Sequence, residues 1–375
     1  MYFRNHPPKW GCAHELWARN TEGGNPGAEK NMKNLLKKVV FTKFFSTTDM
    51  TKVMEAVAKK SASKILFVDT PSTSVLRDLV EELMGRGVQV VLRDHHGIIN
   101  PGNSREQEIA DANEAVRNLL GEAATIETRD EHPACSTLVE VGEFADFDLI
   151  VADPDADGLL GALKALGVTY PEMDSDAACL DGPRSAQTEE NLSPVAVLLA
   201  KGLSTLPPFN PKRPEVAEEA KRTLFEEFCL AVQGDSEAMA CLQARVVKYE
   251  LAVEAARTIL KGVTTVAPGV VLADAVGSAQ FDLQTLSQGM EKGEGVSITV
   301  VRKDSGPIAA HHGGVQISLA VTREAKESVN LQDFLQEGFT SSPEAGVISN
   351  TTFLLHVSEK VWEEQVLPAL RERFN

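Results

Sequence analysis

A chain of 375 residues, 43% of them hydrophobic, is long enough for two domains of ordinary size and can bury sizeable cores. A formal net charge of −17 works against long duplex nucleic acid, because that binding depends on Lys and Arg neutralising phosphates. No apolar run approaches the ~18 residues of a membrane span, and the amino-terminal stretch lacks the basic-then-apolar pattern of a secretory leader, so no membrane partner is expected. The five cysteines, Cys12, Cys135, Cys179, Cys229 and Cys241, form no CxxC pair. A reducing, cytoplasmic setting is the simplest expectation, with each cysteine acting as a small buried hydrophobe.

Residues 1–37 read as an amino-terminal tail, with Pro, Gly and Asn but no sustained periodicity. Cys12 and His14 lie close together there, too small a fragment to argue for a metal. From residue 38 the texture changes. "KKVVFTKFF" predicts a strand and "TDMTKVMEAVAKK" a helix. "SKILFVDT" is an apolar strand ending in Asp69, and "STSVLRDLVEELMGRG" is a helix with a Ser/Thr start and a glycine stop. "VQVVLRDHH" is a further strand running into Asp94, His95 and His96. "EHPACSTLVEVGEF" predicts a short helix, "FDLIVADPDADG" another strand ending near Asp153, and "ADGLLGALKALG" a helix.

Strands that are apolar throughout, alternating with helices, imply an α/β domain with a parallel sheet covered on both faces. Ligands of such sheets bind outside the carboxyl ends of the strands. Asp69, the Asp94-His95-His96 run and Asp153 all fall there.

The proline-rich "LSTLPPFNPKRP" closes this domain at about residue 202 and opens a linker with connecting helices, 203–263. Strand texture returns in residues 264–375 with "GVVLADAV", "GVSITVVRKD", "GVQISLAVT" and "NTTFLLHV". Helices are expected near "DLQTLSQGM", "LQDFLQEGF" and "EKVWEEQVLPALRERF". This is a second, smaller α/β or α+β domain.

Two stretches carry chemistry. In "DPDADG", Asp153, Asp155 and Asp157 alternate ahead of Gly158, as at the start of a calcium-binding EF-hand loop. The place of the bidentate Glu holds Lys164, however, and a strand, not a helix, precedes the loop. A surface turn of solvated aspartates is the bland alternative. In "VVLRDHHG", two histidines follow an acid at a strand end, a natural set of metal ligands or phosphate contacts. Imidazole together with carboxylate favours Mn over Ca. Two ions about 3.5–4 Å apart sharing a bridging aspartate would activate water and steady a leaving oxygen.

On these residues the chain resembles the DHH phosphoesterase superfamily, which includes RecJ-like exonucleases, nanoRNA and cyclic-dinucleotide phosphodiesterases, and family II pyrophosphatases. "FVDTP" is similar to the family's second motif, "RDHHG" to its name-giving third, "HPACSTLVE" to the helix ahead of the fourth, and "IVADPD" to the fourth. The resemblance spans roughly residues 38–165 and implies a parallel-sheet DHH domain joined by a helical linker to a DHHA1-like substrate-binding domain. It implies that Asp69 bridges two Mn ions (or Mg), that His95 ligates one, that His96 ligates or contacts phosphate, and that Asp94 orients a histidine. Asp94, His95 and His96 are thus the expected catalytic set. The family's first motif, a His-x-Asp-x-Asp loop, is missing, with Asp49 its one remnant. Asp155 and Asp157 are expected to replace it, which makes Asp69, His95, His96, Asp153, Asp155 and Asp157 the candidate metal ligands.

Asp174, Asp176 and Asp181 read as supporting groups or, preferentially, as solvated loop residues. His132 reads equally as a group reaching the site or a capped surface histidine. In the second domain, "GPIAAHHGGVQ" holds the ingredients of a substrate loop, so that His311, His312, Gly313, Gly314 and Arg302 join His96 as substrate-binding candidates, with Lys303 and Arg323 adding charge.

The resulting expectation is a divalent-metal-dependent hydrolase. It would cleave phosphodiester bonds of short oligonucleotides or cyclic dinucleotides by metal-activated water. The alternatives are a RecJ-like single-strand exonuclease, a non-catalytic nucleotide-binding protein on a degenerate DHH site, and a calcium-regulated binding module. A homodimer is compatible with the chain.

Overall fold

The computed structural model describes residues 34–42, 47–102, 104–182, 187–207, 214–304, 314–325, 328–331, 346–349 and 352–374. The expected tail up to residue 33, residues 311–313 of the candidate substrate loop and the 332–339 part of "LQDFLQEGF" lie outside them. The chain is an α/β protein that divides into two compact units. One is drawn from residues up to Leu203 with Lys221–Ala244, the other from Ser204–Ala220 with Arg245 onward. No described helix is long and apolar enough to cross a membrane.

The first unit is built on a five-stranded sheet in the order β1-β5-β2-β3-β4, with every neighbouring pair parallel. Its strands are β1 (Val39–Phe41), β2 (Lys64–Val68), β3 (Gln89–Asp94), β4 (Ala124–Ile126) and β5 (Leu149–Ala152). The period-two alternation of a strand sends its apolar side chains to both faces. Ile65, Phe67, Leu92 and Val151 pack on one side with α1 (Thr47–Lys60) and α2 (Ser74–Gly85), through Val53, Val57, Leu76, Leu79 and Leu83. Leu66, Val68, Ile150 and Ala152 pack on the other with Phe144, Phe147 and the Ala162 and Ala165 face of α4 (Ala156–Ala165). Each fully buried Val, Leu, Ile or Phe among them contributes about 1.5–3 kcal/mol on leaving water, and each alanine less. Leu35 already packs against the second of these cores, ahead of the domain start expected at residue 38.

Topology sets the position of the site. The chain runs outward from β2 through β3 to β4, then returns to insert β5 between β1 and β2. The helix that follows β2 covers one face of the sheet, and the helix that follows β5 covers the other. The two connections diverge, leaving a crevice at the carboxyl ends of these adjacent strands, the ordinary ligand position in such sheets.

Some elements differ from the sequence reading. The short helix expected within 131–144 is a single tight turn, Cys135–Leu138. Pro133 and the β-branched Thr137, Val139 and Val141 disfavour a longer helix, and the amides of Cys135 and Ser136 turn instead to the Asp157 carboxylate. The stretch read as a solvated loop around Asp174, Asp176 and Asp181 is a helix, α5 (Met173–Asp181), held against α4 by Lys164 bonding to Asp174. The helix α3 (Ser104–Leu120) precedes β4; its polar sequence has too weak an apolar stripe to announce itself. The unit is completed by α6 (Pro194–Ser204) and by residues of α7 (Pro214–Val232) and α8 (Ser236–Leu260).

The second unit carries a six-stranded mixed sheet, in the order β10-β11-β9-β8-β7-β6. The strands are β6 (Thr264–Ala267), β7 (Val270–Asp274), β8 (Ile298–Asp304), β9 (Gly314–Val321), β10 (Gly346–Ser349) and β11 (Thr352–Ser358). The β7–β8 pair is parallel and the rest antiparallel. In β9 the residues alternate between half-buried and buried, so that Val315, Ile317, Leu319 and Val321 join Trp362, Val366 and Leu370 of the C-terminal helical segment in one core.

Candidate metal centre

Because Val68 pairs with both Arg93 and Ala152, the residues that follow these strands leave the sheet at the same level. Asp69, His95 and the Asp153–Asp157 loop therefore converge, although they lie far apart in the chain. Asp69 is buried and adopts φ +53, in the left-handed region. That conformation costs a residue with a Cβ about 1–2 kcal/mol. The surroundings hold it there. The Asp69 amide donates to the Arg93 carbonyl at 2.9 Å and to Cys135 Sγ at 3.1 Å. The Cys135 thiol in turn donates to the Arg93 carbonyl at 3.0 Å. Strain maintained by several contacts is the usual condition of a functional position.

His95 is fully buried, and its Nδ1 lies 3.0 Å from the His132 carbonyl. A carbonyl only accepts, so Nδ1 carries the proton and Nε2 presents a lone pair. That lone pair makes no hydrogen bond. It faces Asp69 Oδ1 at 3.3 Å, Asp157 Oδ2 at 3.4 Å and Asp181 Oδ2 at 3.9 Å. Asp69 Oδ1 has no hydrogen-bond partner either. Asp157, also buried, takes the Cys135 amide at 2.7 Å.

His96 differs. Its Nδ1 lies 2.8 Å from Asp94 Oδ1 and its Nε2 2.9 Å from Arg129 Nη2, so both ring nitrogens are engaged. Asp94 Oδ2 also accepts the His96 amide, and Asn113 of α3 donates to the His96 carbonyl, which fixes the loop. Asp94 thus orients His96. Asp155 caps α4, its Oδ1 accepting from the Gly158 amide at 2.9 Å. A Cβ on Gly158 would stand 2.4 Å from the Asp153 carbonyl, so only glycine lets α4 start this close to the strand end. Gly161 likewise leaves room for Val68.

The electrostatics follow from crowding. Burial raises the pKa of Asp69 well above the usual carboxylate range, and the charges of Asp157, Asp155, Asp94 and Asp153 push the same way. Asp157 is raised to about 7, chiefly by burial, against the pull of the Cys135 amide. Burial lowers the pKa of His95. For His96 burial acts downward, but the hydrogen bond and charge of Asp94 outweigh it, and the net shift is upward.

The groups Asp69, His95, His96 and His95, Asp157, Asp181 each bring ligand atoms within 4.8 Å of one another. Ligand atoms bound at about 2.1 Å to one octahedral ion stand roughly 3 to 4.2 Å apart. The separations from His95 Nε2 fit that range, and the set of carboxylate oxygens with one imidazole lone pair suits a divalent first-row cation or Mg. Fit is also indicated by what is unsatisfied: a buried lone pair opposed by carboxylates is repulsive until a cation or a proton lies between them.

Arg129 was not singled out in the sequence; Asp181, read there as a supporting group or preferentially a solvated loop residue, stands beside His95. Read as a helix, residues 173–181 place an acid at the carboxyl end, where the helix dipole disfavours it; that was the available signal. His132 serves through its carbonyl, and its Nδ1 lies 2.9 Å from Thr137 Oγ1. Asp176 is buried and accepts from the Ser193 amide, and Asp174 binds Ser136 and Lys164. Lys164, at the place an EF-hand needs for Glu, is thereby committed to Asp174.

In the second unit, Arg302 pairs with Asp274 and Glu359 and lies over the Trp362 ring. Lys303 is partly buried, and burial lowers its pKa. Gly314 opens β9, where a Cβ would stand 2.2 Å from the Val357 carbonyl. His311, His312 and Gly313 lie outside the described residues.

No family model matches the chain, and no curated protein matches it. Among solved structures it is similar to "pGpG-specific phosphodiesterase - PggH from Vibrio cholrae", at 11% identity and a TM-score of 0.39, over 84% of this chain and 98% of that one. At that distance the likeness transfers neither chemistry nor residue roles, and the functional reading rests on the site itself.

Proposed function

We propose that the chain is a divalent-metal-dependent phosphoesterase of the DHH type, acting on the phosphodiester bonds of short oligonucleotides or cyclic dinucleotides. The observation that supports it most directly is the buried, unpartnered Nε2 of His95 facing Asp69 and Asp157 at 3.3 and 3.4 Å. Asp69, His95 and Asp157 would hold the metal, with Asp181 beside them and Asp153 and Asp155 adding negative charge. Mn is the cation favoured by the mixed donor set.

The bound metal would supply Lewis-acid polarisation of a phosphoryl oxygen and a lowered pKa for attacking water. The chain does the rest. The His132 carbonyl keeps the His95 lone pair pointed inward. Asp94 keeps the His96 ring at the rim, where its 23% side-chain exposure leaves it within reach of a substrate. The sheet edge and the two diverging helices hold these groups rigidly, so little reorganisation accompanies the reaction. The acidic surface opposes long polyanions, which supports short substrates over long strands.

The test is to equilibrate the metal-stripped protein with Mn, measure bound metal, and assay bis-p-nitrophenyl phosphate. A panel of linear dinucleotides, short RNA, short DNA and cyclic dinucleotides follows. Bound Mn with diester hydrolysis is the expected result. Metal binding without hydrolysis of any member would favour a non-catalytic nucleotide-binding protein, and absence of metal would end the reading.

A further inference from the structure

We propose that Arg129 is the phosphate-recognition residue of this site, the side chain that takes an oxygen of the substrate phosphate. The choice of phosphate rests on the phosphoesterase reading; the choice of residue rests on geometry.

Arg129 comes from the carboxyl end of a fourth strand of the same sheet. Beyond β3 and β4 the two backbones stay bonded, the Glu127 amide to the Asp94 carbonyl at 2.9 Å and the Gly97 amide to the Glu127 carbonyl at 2.7 Å. A Cβ on Gly97 would stand 2.5 Å from the Glu127 carbonyl oxygen, so the close approach requires glycine. The chain then turns, the Thr128 carbonyl accepting from the amides of Glu131 and His132. This one turn supplies both the carbonyl that orients His95 and the guanidinium that meets His96.

The guanidinium is anchored along one edge. Its Nη2 donates to His96 Nε2 at 2.9 Å and to Asp181 Oδ1 at 3.2 Å. Its Nη1 and Nε make no hydrogen bond among the described residues, and the side chain is 51% exposed. An arginine held on one side with donors open on the other presents the planar fork that suits phosphate oxygens. Stability is a weak reason for it, since the arginine is half exposed and a solvent-screened ion pair contributes little, even though Asp181 is largely buried. Attraction is the stronger reason: the neighbouring carboxylates and the net charge of −17 repel an anionic substrate, and a local cation at the rim counters them.

The experiment compares wild type with Arg129→Gln and Arg129→Lys. Bound Mn is measured by elemental analysis, and inorganic phosphate is titrated calorimetrically into the Mn-equilibrated proteins. Arg129→Gln should keep the wild-type Mn stoichiometry and bind phosphate roughly 10- to 100-fold more weakly, the loss of one charge-assisted bond. Arg129→Lys, which keeps the charge without the fork, should fall between the two, and it carries the comparison if the Gln variant does not fold. Unchanged phosphate affinity in Arg129→Gln overturns the proposal. So does loss of Mn together with phosphate, which would make Arg129 a positioning residue for His96, and so does a wild type that binds no phosphate. Arg129-dependent phosphate binding by a protein that hydrolyses no diester would sustain the role of Arg129 while sinking the phosphoesterase reading.

Discussion

His95 Nε2 and Asp69 Oδ1 lie 3.3 Å apart, both are buried, and neither makes a hydrogen bond. The lone pair of one faces the lone pairs of the other, because the His132 carbonyl has claimed the imidazole proton on the opposite nitrogen. Carbonyl and carboxylate together define a place for a positive charge.

Removing the imidazole should empty that place. We expect His95→Ala to lose most of its bound Mn and to reduce diester hydrolysis by at least about a hundredfold, as loss of a metal ligand does. Elemental analysis after gel filtration and a steady-state assay check both. An alanine variant with full metal content would show that the ion is held elsewhere.

The pH dependence of the metal-free protein follows from Asp157, whose pKa is raised in the folded state to about 7 by burial. The folded state then binds the proton more tightly than the unfolded chain. The associated stability is fully present below the unfolded pKa of about 4 and is lost as pH rises through about 7. In EDTA, Asp157→Asn should therefore melt close to wild type near pH 4 and above it at pH 8. Excess Mn should reverse the order at pH 8, since metal stabilises the form that binds it. Melting curves at the two pH values decide it.

Strain at Asp69 yields a comparison between two inactive variants. At φ +53 a glycine is unstrained and an alanine is not. Asp69→Gly should be more stable than Asp69→Ala by about 1 kcal/mol in denaturant titrations, the reverse of the order expected in a strand or helix interior. Equal stabilities would mean that the backbone relaxes once the carboxylate is gone.

Gly158 offers a test of how tightly α4 is seated. An added methyl group would meet the Asp153 carbonyl at 2.4 Å, a backbone atom that cannot swing away. Gly158→Ala should destabilise the protein by about 1–3 kcal/mol and lower Mn affinity, because Asp157 sits one residue before the displaced point. Wild-type stability in this variant would show that the loop is pliable.

The convergence of Asp69, Asp94-His95-His96 and the Asp153 loop at one sheet edge was legible in the sequence. Continuous apolar strands alternating with amphipathic helices admit few arrangements other than a parallel sheet, and strand ends in such a sheet share an edge. The helix at 173–181 escaped because its acids mask a weak apolar pattern, and Asp181 and its neighbours were set aside as loop residues. Arg129 escaped because β4 is so short that nothing announced a strand ahead of it.

By itself, the order of amino acids determined the α/β layering and which strand ends carry acids and imidazoles, since both depend on local periodicity and on the direction of each strand. Tertiary structure alone decided how those groups divide their work. His95 keeps an open lone pair while His96 is engaged on both sides, Asp155 caps a helix while Asp157 faces the imidazole, and Asp181 and Arg129 join from distant segments. Those assignments turn on contacts of 2.8 to 3.9 Å, most of them between groups far apart in the chain, and such contacts are set by packing, not by sequence spacing.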